Sequence, residues 1–202
     1  MTPVPSLPPS QSPKPEPYLP VPQGVTLTEP GWALQVGERA TVAWELPAAR
    51  GKAAKSKAKP KIAVVQLTIL AMEAATLKEF TGWQLNKAAR QSNPFFIRAL
   101  VRNVGKTDLS GQRLPVYIVD GRNTLIQAST FEGDFKPCGS HPLPARFKPK
   151  AKAKLCTVYL APDDGRLTAV SFRPTRKFVP ITWTGALTPY VADKGKKSKK
   201  SG

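Results

Sequence analysis

The stretch "FFIRALVRN" occupies residues 95–103. Phe95, Ile97, Ala99 and Val101 fall on one side of an extended chain, and Arg98 and Arg102 fall on the other. Alternation with period two marks a strand that is buried on one face and wetted on the other. The same texture recurs on both sides of it. In "TVAWEL" (41–46), Val42, Trp44 and Leu46 point one way, while Thr41, Ala43 and Glu45 point the other. In "AVVQLTILAM" (63–72), Val65, Leu67, Ile69 and Ala71 share a face. Downstream, "LPVYIVDG" (114–121) is β-branched and aromatic and stops at the turn pair Asp120-Gly121. "NTLIQAS" (123–129), "LCTVYLAP" (155–162) and "LTAVSF" (167–172) follow, with the hairpin signal "APDDG" (161–165) between the last two. "FVPITW" (178–183) closes the series. Only Met72 to Asn86 has a helical character, and Thr81-Gly82 interrupts it, so one short helix or helical turn is expected there. Seven or eight short strands separated by turn signals predict an all-β, antiparallel sandwich.

The flanks differ. Residues 1–23 are rich in proline and serine and favour polyproline II; they are expected to form a disordered spacer. A PxxP ligand for a recognition domain is the sharper reading of that stretch and carries little weight. The sandwich is assigned to residues 24–187. Residues 188–202, ending "KGKKSKKSG", read as a basic, disordered, Lys-rich tail. The chain's 22 prolines, about twice ordinary usage, fit this division.

Formal charge is +18 over 202 residues. It lies in a few runs on a body that is otherwise close to neutral. Lys52, Lys55, Lys57, Lys59 and Lys61 form one run, and Lys150, Lys152 and Lys154 belong to another. Such runs attract nucleic acid, acidic lipid or an anionic envelope polymer, by counterion release and without reading sequence. A solvated connection between strands is the plainer reading of the first run. No aromatic residue is interleaved with those lysines, so stacking on bases has no support there. No run of eighteen uninterrupted apolar residues marks a membrane-spanning helix.

Catalytic constellations are missing from the pattern. His141 is the one histidine and stands among prolines; no G-x-S-x-G elbow accompanies it. The acids Asp120, Glu132, Asp134, Asp163 and Asp164 fall mostly in predicted turns, which explains them without glycoside chemistry. No glycine-rich phosphate loop is present. The expectation is a protein that is not an enzyme and carries no cofactor. The tryptophans Trp32, Trp44, Trp83 and Trp183 read as core and loop anchors, with Trp44 and Trp183 on apolar strand faces.

Both cysteines, Cys138 and Cys156, flank "GSHPLPARFKPKAKAKL". They are too few for structural zinc, even with His141 as a third ligand, and they are not a C-x-x-C pair. That leaves two free thiols or one disulfide. An even count in a small β-rich chain is compatible with a bond if the protein is exported. We expect a Cys138–Cys156 bond that contributes roughly 3 kcal/mol. Pro137, Pro142, Pro144 and Pro149 stiffen the connection between them. One conflict follows: Lys152 and Lys154 share their alternation with Cys156, so the chain is expected to bend near Leu155 for the cysteine to turn inward.

Three marks taken together resemble a family. They are Asn103-Val104-Gly105 after a long strand, the cysteine pair around the "LP…F.P" segment, and the closing Pro180-Ile181 with Trp183-Thr184-Gly185. The chain from about Gly24 to Gly185 resembles actinobacterial secreted proteins and lipoproteins of unknown function with a telokin-like, immunoglobulin-like sandwich. The resemblance implies an exported protein, extracellular or held at the cell envelope, whose leader is removed or lies upstream of Met1. It implies no activity. Lys150 stands where the family often has glycine, and the Lys/Ala insertion near Ala53 to Pro60 is a further departure. The expected function is a non-enzymatic, immunoglobulin-like binding module with affinity for an anionic envelope polymer or lipid surface. The alternative is an intracellular nucleic-acid-associated protein that uses its lysine runs.

Overall fold

Residues 95–103 lie in a strand that is longer than the quoted stretch, β4, Ser92–Asn103. The structure, a computed structural model, describes residues 16–47 and 59–192. Expectations that fall on residues 1–15, 48–58 and 193–202 lie outside those described.

Among the described residues, ten strands build two sheets. The first orders β1 (Ala33–Gln35), β9 (Ile181–Thr184), β8 (Leu167–Phe172), β5 (Val116–Asp120) and β6 (Leu125–Ile126) side by side. In the second, β3 (Ile62–Ala74) pairs β4, and β4 pairs β7 (Lys152–Pro162). The other edge of β3 is shared. β2 (Arg39–Glu45) pairs its first half at Ile62–Thr68, and β10 (Leu187–Pro189) pairs its end at Met72–Ala74. Between the sheets, Trp44, Leu67, Ile69, Phe95, Ile97 and Tyr159 meet Ile118, Val170, Phe172, Ile181 and Trp183 in one core. The all-β sandwich of the sequence reading is the architecture seen, and Trp44 and Trp183 are buried on the faces assigned to them.

Several details depart from expectation. The sheets are not purely antiparallel: β1 runs parallel to β9 and β10 parallel to β3. Both pairs arise because the chain changes sheet twice at one place, after β1 and after β9. The crossings touch. Val36 N–H donates to the Thr184 carbonyl at 2.8 Å, and a Cβ on Gly185 would lie 2.9 Å from the Val36 side chain. Only glycine allows that approach, which accounts for the residue after Trp183-Thr184.

A bulge alters the face assignment in β3. The register with β4 shifts between Ile69 and Ala71, so Leu70 is 40% exposed and Met72, rather than Ala71, returns to the core. An extra residue on one strand reverses the alternation beyond it. The segment expected to be helical carries β3 as far as Ala74 and a 3-10 turn at Leu77–Phe80; a four-residue helix, α1 (Lys87–Arg90), follows with Asn86 as its N-cap. "NTLIQAS" supplies only Leu125–Ile126 as strand, because the chain then leaves its sheet: Ser129 N–H donates to the Val158 carbonyl of β7.

The folded body also reaches past both assigned boundaries. Tyr18, expected within the spacer, accepts a hydrogen bond from Ala43 N–H at 2.9 Å, and its ring stands edge-on to Phe178. Leu19 and Val21 pack with it on the cluster of Leu27, Ala43 and Val64. At the other end, residues 188–190 are not tail. Thr188 and Pro189 are in β10, Tyr190 N–H donates to the Ala74 carbonyl, and the Tyr190 ring lies 4.9 Å from Phe96. The rings repay the ordering of these short segments by covering apolar surface that polar residues would leave wet.

Candidate polyanion-binding face

The site is built on the outward face of the β2-β3-β4-β7 sheet. Cross-strand register sets its residues in rows. Thr41, Gln66, Arg102 and Lys152 form one row, and Arg39, Thr68, Leu100 and Lys154 the next. Arg39, Arg102, Lys152 and Lys154 are exposed, and the residues between them are half-buried. The following row holds Arg98, whose Nε lies 2.9 Å from Glu73, so that cation is already engaged.

The same end of the sheet gathers further lysines. Here β2 ends, β3 begins, β4 ends and β7 begins, joined by backbone bonds from Leu46 N–H to Lys61 and from Lys150 N–H to Asn103. Lys59, Lys61, Lys106, Lys148 and Lys150 are exposed around it. Lys150 sits in a turn with φ +71°, the left-handed conformation in which glycine is easier. Lys52, Lys55 and Lys57 lie outside the described residues; their flanks, Pro47 and Lys59, are at this end. Two exposed acids interrupt the field, Glu45 and Asp108. Asp108 is held below the usual carboxylate range chiefly by hydrogen bonds from Ser110, and the charges of Lys148 and Lys61 add to that. Thus Lys59 and Lys61 of the first run and Lys150, Lys152 and Lys154 of the second, far apart in sequence, meet at one end of one sheet. Arg39 and Arg102 join them. Alternation showed Arg102 facing outward, but only strand order shows that it stands opposite Lys152.

The face is covered on both sides of these rows: Tyr18, Leu19, Val21 and Leu27 pack on Ala43 and Val64 beyond them, and an aromatic loop covers the other half. Phe80, Trp83, Phe131 and Phe135 lie over Phe96, Val158 and Cys156, with Tyr190 at the margin. Phe80 stacks on Phe135 at 4.7 Å and Phe131 on Phe135 at 5.0 Å. Cys138 and Cys156 are bonded, with Cα atoms 5.1 Å apart. The bond ties the loop that carries Phe131 and Phe135 to β7, and Ser140 adds bonds to Ser129 and Val158. The expected bend near Leu155 is not needed. Lys152, Lys154, Cys156 and Val158 all face outward along one continuous strand, and it is the covering that changes. Leu155 and Tyr159 face the inter-sheet core.

The sequence marks have structural explanations. Asn103 is fully buried; its Nδ2 donates to the carbonyls of Thr107 and Phe147, and its Oδ1 accepts from Gly105 N–H. A Cβ on Gly105 would come within 3.1 Å of the Val64 side chain. The triplet closes β4 against β3 and the following loop. Asp120 serves the turn it was assigned: it accepts from the N–H groups of Thr124 and Arg122, and these bonds, with the Arg122 guanidinium, hold its carboxyl below the usual range. His141 is exposed, 3.9 Å from Asp134. No group of three His, Cys, Asp or Glu close enough to hold a metal occurs among the described residues. No helix among them is long and apolar enough to cross a membrane. No family model matches the chain, and neither a curated protein nor a solved structure shows significant similarity to it.

Proposed function

We propose that this protein is a non-enzymatic binding module that works outside the reducing cytosol and holds an anionic polymer or surface against the basic end of its β2-β3-β4-β7 sheet. The observation that carries the reading is the meeting there of two lysine runs with Arg39 and Arg102. Cations spaced by strand separation and by alternate residues suit a chain of phosphates or carboxylates engaged through charge alone. The Cys138–Cys156 bond favours an exported setting, since such bonds persist in oxidising compartments. An immunoglobulin-like lineage of the actinobacterial secreted type, with a teichoic-type polymer or acidic lipid as the envelope partner, is the form of this proposal that the sequence marks support. The intracellular nucleic-acid alternative has the same charge in its favour and the disulfide against it.

The test is salt dependence. Binding to a polyol-phosphate polymer, to vesicles of acidic lipid and to duplex DNA is measured over a range of salt, for the native chain and for Arg102→Gln combined with Lys150→Gln, Lys152→Gln and Lys154→Gln. The expected result is affinity that falls steeply with salt, with a slope shallower in the variant by about one for each phosphate it no longer neutralises. The melting temperature should not move. An unchanged slope would remove this face as the site. Tightest binding to DNA, together with free thiols in protein isolated from its source, would favour the intracellular alternative.

A further inference from the structure

The outward face of the other sheet carries a second feature, independent of the lysines. Tyr117 of β5 and Thr182 of β9 are the direct cross-strand partners of Ser171 in β8. Val170 and Phe172 enter the core, so Ser171 lies on the outer side. Among the described residues, two buried side-chain polar atoms have no partner, Ser171 Oγ and Arg173 Nε. They are two positions apart, Ser171 in β8 and Arg173 just past its end. Folded proteins leave few such atoms, because each costs the desolvation of a donor without a bond in return. Two together mark a place where an acceptor is missing.

A groove of about 570 Å³ is lined in part by Arg173. Its lining includes Tyr117, Gln127, Arg173, Thr175 and Arg176, and no carboxylate. Arg173 Nη2 donates to the Arg176 carbonyl at 2.8 Å, which fixes the guanidinium and the turn beside it. The parts are those of a site for a ring that bears a tetrahedral oxyanion. Arginine forks suit phosphate and sulfate oxygens, the tyrosine offers a flat apolar surface, and amide and hydroxyl groups meet ring hydroxyls.

We propose that this groove binds a sugar unit carrying a phosphate or sulfate ester. Arg173 and Arg176 take the ester oxygens, Tyr117 takes the ring face, and Gln127 and Thr175 take hydroxyls. Closure of Arg173 on the ester gives its Nε the acceptor it lacks. The proposal stands apart from the lysine face: a single sugar ester fills the groove with no need of a polymer.

The full chain is titrated with glucose 6-phosphate, glucose 6-sulfate, glucose and inorganic phosphate, by calorimetry and by NMR of the backbone amides of residues 171–176 and the arginine Nε–H signals. One or both esters should bind saturably, at least about tenfold tighter than inorganic phosphate, and glucose should not bind. The tighter ester identifies the oxyanion. The Arg173 Nε–H signal should move as it gains an acceptor. Arg176→Gln, an exposed position that keeps the backbone carbonyl used by Arg173, should weaken the ester about tenfold with an unchanged unfolding midpoint. Tyr117→Ala should weaken the ester and leave inorganic phosphate unaffected. The four-residue variant of the lysine face should bind the ester like the native chain, which separates this site from that one. Equal affinity for inorganic phosphate and the esters, native-like binding by Arg176→Gln, or no binding at all would overturn the proposal.

Discussion

Along the outward side of β7, Lys152 and Lys154 stand in water, whereas Cys156 and Val158 lie beneath aromatic rings. The strand is the same and so is the direction of the side chains. The loop that lies above them makes the difference. Where the loop supplies Phe131 and Phe135, the sheet has apolar residues beneath: Phe96 on β4 and Val158 on β7. Where no described segment covers the sheet, the rows hold arginine, lysine, glutamine and threonine. One face of one sheet thus serves stability under the aromatic loop and carries exposed charge in the rows of Arg39 and Arg102. A third region lies between these extremes: the segment with Tyr18 and Leu27 covers Ala43 and Val64 with a smaller cluster and no covalent tie.

The covered half depends most on Phe96, which is fully buried among Phe80, Phe135 and Tyr190. Phe96→Ala should cost about 3–5 kcal/mol in chemical denaturation. Arg102→Ala, on the same strand and the same side, should change stability by no more than about 0.5 kcal/mol. Similar losses at the two positions would mean that the open half is not open.

Next in size is the covalent tie. Replacing Cys138 and Cys156 by serine should cost roughly 2–4 kcal/mol, with faster amide exchange confined first to the loop between Ser129 and Ser140. Mass spectrometry of the unreduced native chain should read two hydrogens below the fully reduced mass. Unchanged stability of the double variant would show that the rings hold the loop without the bond.

The smallest effect belongs to the untied cover. Tyr18→Phe keeps the ring against Phe178 but leaves Ala43 N–H without its acceptor, and should cost about 1 kcal/mol by the same measurement. Burial holds the Tyr18 phenol above its usual range, more than the bond to Ala43 offsets. Folding therefore favours the protonated form. That contribution is intact below the phenol's unfolded value and lost as pH rises through the folded one. The native chain should weaken there on alkaline titration, and Tyr18→Phe should weaken less.

Much of this was legible in the chain. Period-two alternation is a local property, so Val42, Trp44, Leu67, Ile97 and Trp183 could be assigned to the core before any partner strand was known. Two cysteines in a β-rich chain point to a bond, and Asp120 beside Gly121 marks a turn. Other features were not legible because they depend on what lies opposite. The Leu70 bulge is decided by register against β4 and reversed the assignment of Ala71. The parallel edges follow from a double change of sheet at Val36 and Gly185, which no propensity announces. Tyr18 and Tyr190 lay in stretches that read as spacer and tail, since one aromatic residue in a polar segment has no visible surface to cover.

The sequence by itself determined the class of fold, the inward faces of its strands and the amount and sign of its charge, because each follows from residues near one another along the chain. Tertiary structure alone decided that the two lysine runs share one end of a sheet, that Cys156 faces outward beneath a lid of rings, and that Ser171 Oγ and Arg173 Nε are buried without partners. The reason is the same in each case. Sheet order and loop packing bring together residues that are distant in sequence, and charge or burial acquires its meaning only from those neighbours.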